Sequence, residues 1–223
     1  MKFFLNKAFI IILFVFVSSA KAEIYESKYD VSSSGLKIGH FVWTLEIKEG
    51  LYKTKINLEN SGIFSPLYKF KGEYSAQGKV FNNNFKAEVY TQDWRVKKKS
   101  KKVNILFYEK GVDVRQEPNE KEHARINFDD LKLHFDPITS FINIIKGHKF
   151  AQTIDGRRIY TMKRIEDINS KKITLEIENY TNIWADHKRN DVKKIEFITN
   201  EENFLPLNIS VFFKERKFVL KKK

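Results

Sequence analysis

Apolar and polar side chains alternate along most of this chain. Phe41, Trp43, Leu45 and Ile47 interleave with Val42, Thr44, Glu46 and Lys48. Tyr52, Thr54, Ile56 and Leu58 interleave with Lys53, Lys55, Asn57 and Glu59, and Tyr68, Phe70, Gly72 and Tyr74 with Lys69, Lys71, Glu73 and Ser75. A strand sends successive side chains to opposite faces, so each run predicts a strand with one apolar and one charged face. The runs Val103-Ile105-Phe107, Leu131-Leu133-Phe135, Ile173-Leu175-Ile177 and Leu207-Ile209-Val211-Phe213 continue the pattern. Turn signals separate them: Glu49-Gly50, Asn82-Asn83-Asn84, Lys110-Gly111 and Asp155-Gly156. The last is the strongest, because Asp-Gly suits the positive φ angles of a tight hairpin turn. Strands joined by short turns pair antiparallel, with one face buried and one wet.

One segment breaks the period. Asp136-Pro137 offers an N-cap followed by proline at the first helical position. Ile138, Phe141, Ile142 and Ile145 then fall at i, i+3, i+4 and i+7 before Gly147. That spacing predicts a short amphipathic helix, from about Ile138 to Lys146, whose apolar stripe lies on a sheet or in its mouth. No linker or internal repeat divides the chain, and Pro118 to Ala124 reads as a long polar loop. About a dozen strands are too many for a flat open sheet. The expected fold is mainly β, an antiparallel, strongly curved sheet or partial barrel with one short α-helix, and a two-sheet sandwich is the alternative. A membrane-spanning barrel also alternates, but here the polar faces are dense with lysine, a costly filling for a small lumen.

The first residues follow a different rule. Lys2 and Lys7 precede an apolar core from Ala8 to Val17, and Ser18-Ser19-Ala20-Lys21-Ala22 ends in small residues. This is the three-part pattern of a cleavable secretory signal over residues 1–22. The apolar run is about half the length of a spanning helix. The expectation is a single domain, 23–223, working in the periplasm. Cysteine is absent from the 223 residues, which removes disulfides, thiol nucleophiles and thiolate metal ligands. The formal charge is +13. Lys2, Lys7 and Lys21 leave with the signal, and subtracting those three leaves +10. An exported basic chain rarely meets nucleic acid, so anionic envelope surfaces are its natural partners, or the lysines solvate outer sheet faces.

Candidate chemistry is sparse. His40, His123, His134, His148 and His187 show no metal-ligand spacing, and neither a nucleophile elbow nor a phosphate loop is present. No metal or cofactor is expected. His134 and Asp136 share a strand face, the seed of a metal or acid–base pair, although Asp136 also suits a helix cap. Phe41, Trp43, Tyr52, Phe70, Tyr74 and Phe85 fall on apolar strand faces. On a curved sheet they line a groove for an acyl chain, lipid or hydrophobic peptide, or else a core filled by Phe141 and Ile145. Arg157 and Arg158 either bind an anion bidentately or brace their hairpin. Lys97, Lys98, Lys99, Lys101 and Lys102, beside Trp94, form a basic tip suited to an anionic surface, or a solvated turn.

Several short motifs, in order, resemble an exported bacterial family called domain of unknown function 3108. They are Tyr29-Asp30-Val31 with Gly35-Leu36-Lys37-Ile38-Gly39, Ser61-Gly62 with Pro66-Leu67-Tyr68, and Asp136-Pro137 with Phe141. Asp155-Gly156-Arg157-Arg158 with Tyr160, and Leu205-Pro206-Leu207-Asn208-Ile209, complete the set. The resemblance implies a periplasmic curved sheet similar in plan to the lipoprotein-carrier fold, and it implies no reaction. The functional expectation is a non-enzymatic envelope protein that binds a hydrophobic ligand or an envelope partner on its concave face. The alternatives are a hydrolase-type enzyme using His134, Asp136 and Asp155, and a purely structural scaffold.

Overall fold

A computed structural model describes residues 22–61, 69–97, 99–166, 172–185, 192–200 and 203–223. Residues 1–21, where the signal pattern is expected, Gly62, the Pro66-Leu67-Tyr68 motif, Lys98 and His187 lie outside the described residues.

The alternating runs, apart from Leu131-Leu133-Phe135, form strands as expected. β1 (Glu23–Ser33), β2 (Leu36–Lys48), β3 (Leu51–Asn60), β4 (Phe70–Phe81), β5 (Asn84–Val96), β6 (Lys99–Tyr108) and β7 (Gly111–Glu117) make one meander. A helix, α1 (Pro137–Ile145), follows. The second meander is β8 (Phe150–Ile154), β9 (Arg158–Glu166), β10 (Lys172–Asn182), β11 (Val192–Asn200), β12 (Asn203–Phe213) and β13 (Arg216–Lys222). Pairing of β1 with β13 seams the two meanders into one 13-stranded antiparallel sheet whose edges are β7 and β8. Tight turns are made where the sequence placed them: Glu49 and Gly50 have φ of 52° and 75°, and Asn82 and Asn83 of 49° and 62°.

Thirteen strands of right-handed twist cannot stay flat, and bulges add to the bend. One of them shifts the register of β4 against β5 between Gln77 and Gly78. A Cβ on Gly78 would lie 2.1 Å from the carbonyl oxygen of Lys86, so only glycine permits that approach. The sheet curls until its ends meet, but no ladder joins β7 to β8. Instead the β8–β9 turn seats on β6 and β7. Gln116 Nε2 and Trp184 Nε1 both donate to the carbonyl of Gly156 at 3.0 Å. The sheet is a partial barrel, not a closed one.

Helix α1 plugs one end of this barrel. Asp136 caps it, accepting from the N–H groups of Ile138 and Thr139, and Ile138 through Ile144 are buried. Asn143 clamps the backbone of Phe85 at the start of β5, accepting its N–H and donating to its carbonyl, both at 2.9 Å. At the C-terminal end, Arg164 Nη1 donates to the carbonyl of Ile144 at 2.7 Å, satisfying one of the acceptors a helix end leaves open. The helix runs one residue earlier at each end than its spacing predicted.

The expected strand at Leu131-Leu133-Phe135 does not form. Asn127 accepts the N–H of Asp129 and starts a 3₁₀ turn at Phe128–Asp130. The N–H of Leu131 then bonds Phe128, and that of His134 bonds Leu131. Local bonds use the donors a ladder needs, and only Phe135 makes an isolated bridge, to Thr153 of β8. Leu131 is buried whereas Leu133 is 76% exposed.

Candidate ligand cavity

Above the helix the barrel is not filled. A cavity of about 410 Å³ lies between α1 and the barrel end that carries the β1–β2, β5–β6 and β12–β13 hairpins. Its floor is Pro137, Ile138 and Phe141 of the helix. Trp43 stacks on Phe141 with ring centroids 5.7 Å apart, and Phe41 meets Trp43 edge-on at 6.4 Å. Trp43 is locked there because its Nε1 donates to Thr54 Oγ1 at 2.8 Å. Ile56 and Leu58 of β3, Ile195 of β11, Ile209 and Val211 of β12 and Leu220 of β13 complete an aliphatic wall. These are the inward positions of their strands, and the curvature holds the facing strands too far apart for the side chains to meet.

The remaining wall is polar. Tyr74 and Gln92 are direct cross-strand partners on β4 and β5, and Tyr90 donates to Gln92 Oε1 at 3.3 Å. Opposite them lie Asp155, Arg158, Tyr160 and Tyr180 from the β8–β9 turn, β9 and β10. Asp155 Oδ1 accepts the backbone N–H groups of Arg157 and Arg158 at 2.9 and 2.8 Å. Its Oδ2 accepts Nε and Nη2 of Arg158 at 3.1 and 2.8 Å. The turn is thus an Asx-type turn whose carboxylate also holds a bidentate guanidinium. Tyr160 and Tyr180 pack with ring centroids 5.3 Å apart, and Tyr180 donates to the carbonyl of Val192 at 2.6 Å. Burial pushes the Tyr74 phenol up to about 12 and the Tyr90 and Tyr160 phenols well above their ordinary value. At neutral pH all three are uncharged hydroxyls.

Of the expected ligand contacts, Phe41, Trp43, Tyr74 and Arg158 lie on the cavity. Tyr52 and Phe85 do not: both are in the core beneath the helix, where Tyr52 bonds Thr139 Oγ1 at 2.6 Å. Phe70 is half-buried outside the lining. Arg157 contributes its backbone N–H to Asp155 rather than a side chain to the cavity. Tyr90, Gln92, Tyr160 and Tyr180 join the site without having been among the expected contacts. The signal for Tyr160 was its position two residues after Arg158, on the same strand face.

At the basic tip one lysine departs from the exposed placement expected of it. Lys97, Lys99 and Lys102 are exposed and Trp94 is half-buried, but Lys101 is only 7% exposed and its Nζ lies 2.6 Å from Glu120 Oε1. Strand alternation explains it: Lys101 shares a face with Val103 and Ile105, so it points inward beneath the polar loop carrying Glu120. The proposed His134–Asp136 pair resolves into a cap. Asp136 is fully buried in bonds to Ile138 and Thr139, and burial pushes its carboxyl up to about 6. No group of three or more metal-ligating side chains occurs among the described residues.

No protein-family model matches the sequence, and no curated protein does. A solved structure does share the fold. It is a β-barrel-like protein of domain of unknown function 1849 from Brucella abortus, with a TM-score of 0.56 at 10% identity over 92% of this chain and 98% of that one. The resemblance to domain of unknown function 3108 is therefore not upheld, since no family model supports it and a different domain of unknown function shares the fold. Its motifs are local geometry: Asp136-Pro137 is a helix cap, and Asp155-Gly156-Arg157-Arg158 an Asx turn with its own ion pair. The class the fold defines is a β-barrel-like protein built on an open, curled sheet.

Proposed function

We propose that this chain is a non-enzymatic protein of the periplasm that carries a hydrophobic ligand, an acyl chain or lipid, inside its curled sheet. The observation that carries the reading is the unfilled 410 Å³ cavity with its aromatic and aliphatic wall, within the size range of small-molecule sites. At about 30 Å³ per water-sized group, it accepts one chain of roughly a dozen atoms. The N-terminal pattern of basic, apolar and small residues supports export. The one carboxylate on the cavity, Asp155, is engaged by four donors, which argues against its serving as a general base. Exposed Lys97, Lys99 and Lys102 project from the same end as the cavity and suit an anionic envelope surface from which a ligand is collected.

Native mass spectrometry of protein purified from its own periplasm tests this. The expected result is a co-purifying lipid that disappears in Leu58→Trp or Val211→Trp, which fill the cavity. A ligand-free protein that also fails to bind added alkyl amphiphiles overturns it.

A further inference from the structure

The polar wall carries more information than the apolar one. The hydroxyls of Tyr74 and Tyr160, and Nε2 of Gln92, have no hydrogen-bond partner among the described residues. All three residues line the cavity. They belong to one cluster: Tyr74 and Gln92 face each other across β4 and β5, and Tyr90, bonded to Gln92, is near enough to Tyr74, Asp155 and Tyr160 for each to disfavour its ionisation. None of these atoms is sealed from solvent, so a ligand that displaces water from them must bring oxygen acceptors of its own or leave them stranded at a cost.

The charge of that ligand follows from the neighbouring pair. Asp155 and Arg158 neutralise each other through two side-chain bonds, and the phenols are uncharged at neutral pH. The cluster offers donors but no net positive charge. A carboxylate or phosphate entering it loses hydration without gaining an unpaired cation.

We propose that the cavity selects an uncharged, oxygen-bearing head on its single chain, an ester or glyceryl group, held by the hydroxyls of Tyr74 and Tyr160 and the side-chain amide of Gln92. The proposal rests on the ligand-carrying role above and deepens it.

The test is calorimetric titration of the mature protein at pH 8 with monolaurin and with laurate, both below their micellar concentrations. Two variants are compared, Tyr74→Phe and Tyr160→Phe, which keep the ring packing. Monolaurin is expected to bind at least about tenfold more tightly than laurate. Each Phe variant should weaken monolaurin about 3- to 10-fold, the effect of one hydrogen bond, with the thermal midpoint unchanged. Equal or tighter binding of laurate, or Phe variants that hold monolaurin as well as the parent, overturns the head-group assignment while leaving a chain-binding cavity. Binding of neither amphiphile overturns the assignment and the ligand-carrying role together.

Discussion

Gln116 of β7 and Gly156 of the β8–β9 turn belong to opposite ends of a 13-stranded sheet, yet the Gln116 side chain donates to the Gly156 carbonyl across 3.0 Å. This contact, shared with Trp184, stands in for the ladder that would close the barrel. It also positions Asp155 and Arg158 on the cavity.

Gly156 is the residue on which the contact depends. Its φ is +82°, and a Cβ there would lie 2.4 Å from Cγ1 of Val103. Gly156→Ala is expected to destabilise the fold by about 2–4 kcal/mol, combining left-handed backbone strain with overpacking. Adding Val103→Ala should recover part of that loss, although it leaves the strain. Urea midpoints of the single and double variants measure both terms.

Asn143 ties the helix to the sheet through both polar groups of Phe85. Asn143→Leu strands a buried N–H and a buried carbonyl, at about 1–3 kcal/mol each. The expected loss of about 2–5 kcal/mol is read from thermal or urea unfolding, and an unchanged midpoint excludes the clamp.

Asp136 makes stability depend on pH. Its carboxyl is pushed by burial from the ordinary 3.8 to about 6, against the opposing effect of the bonds from Thr139 and Ile138. Between those values the native state holds a proton that the unfolded chain has released. Unfolding therefore releases protons, and this group's contribution falls as pH rises from about 4 to 6, by at most about 3 kcal/mol. Asp136→Asn keeps an acceptor for the cap but does not titrate. The fall in urea midpoint over that window should be smaller in Asp136→Asn than in the parent.

The lysines of the β5–β6 hairpin divide into two classes. Lys97, Lys99 and Lys102 replaced together by Ser should leave the thermal midpoint nearly unchanged, because exposed substitutions stay within about 0.5 kcal/mol. They should weaken co-sedimentation with anionic vesicles at low salt, by about 1 kcal/mol per lysine. Lys101→Ala should behave oppositely, lowering stability by about 1–3 kcal/mol because it removes an inward-facing side chain and its charge-assisted bond to Glu120.

Much of the architecture was legible in the chain. Alternation marked the strands, Asp-Gly and Asn-Asn their turns, and Asp136-Pro137 with Ile138, Phe141, Ile142 and Ile145 the helix, because those signals act within a few residues. Leu131 to Phe135 misled for the same reason reversed: its period suits a strand, but a nearby Asn127 captures its donors in a local turn. Alternation even held the answer for Lys101, which lies in phase with Val103 and Ile105. It could not separate Tyr52 from Tyr74. Both point inward, but Tyr52 meets the helix at Thr139 while Tyr74 faces the cavity, and only the height of each along the curled sheet decides that. The pairing of β1 with β13, the docking of Gly156 on Val103 and the gathering of Tyr74, Gln92 and Tyr160 join residues tens of positions apart. Such contacts arise from the accumulated twist of thirteen strands, a property of the whole sheet that no short stretch of sequence carries.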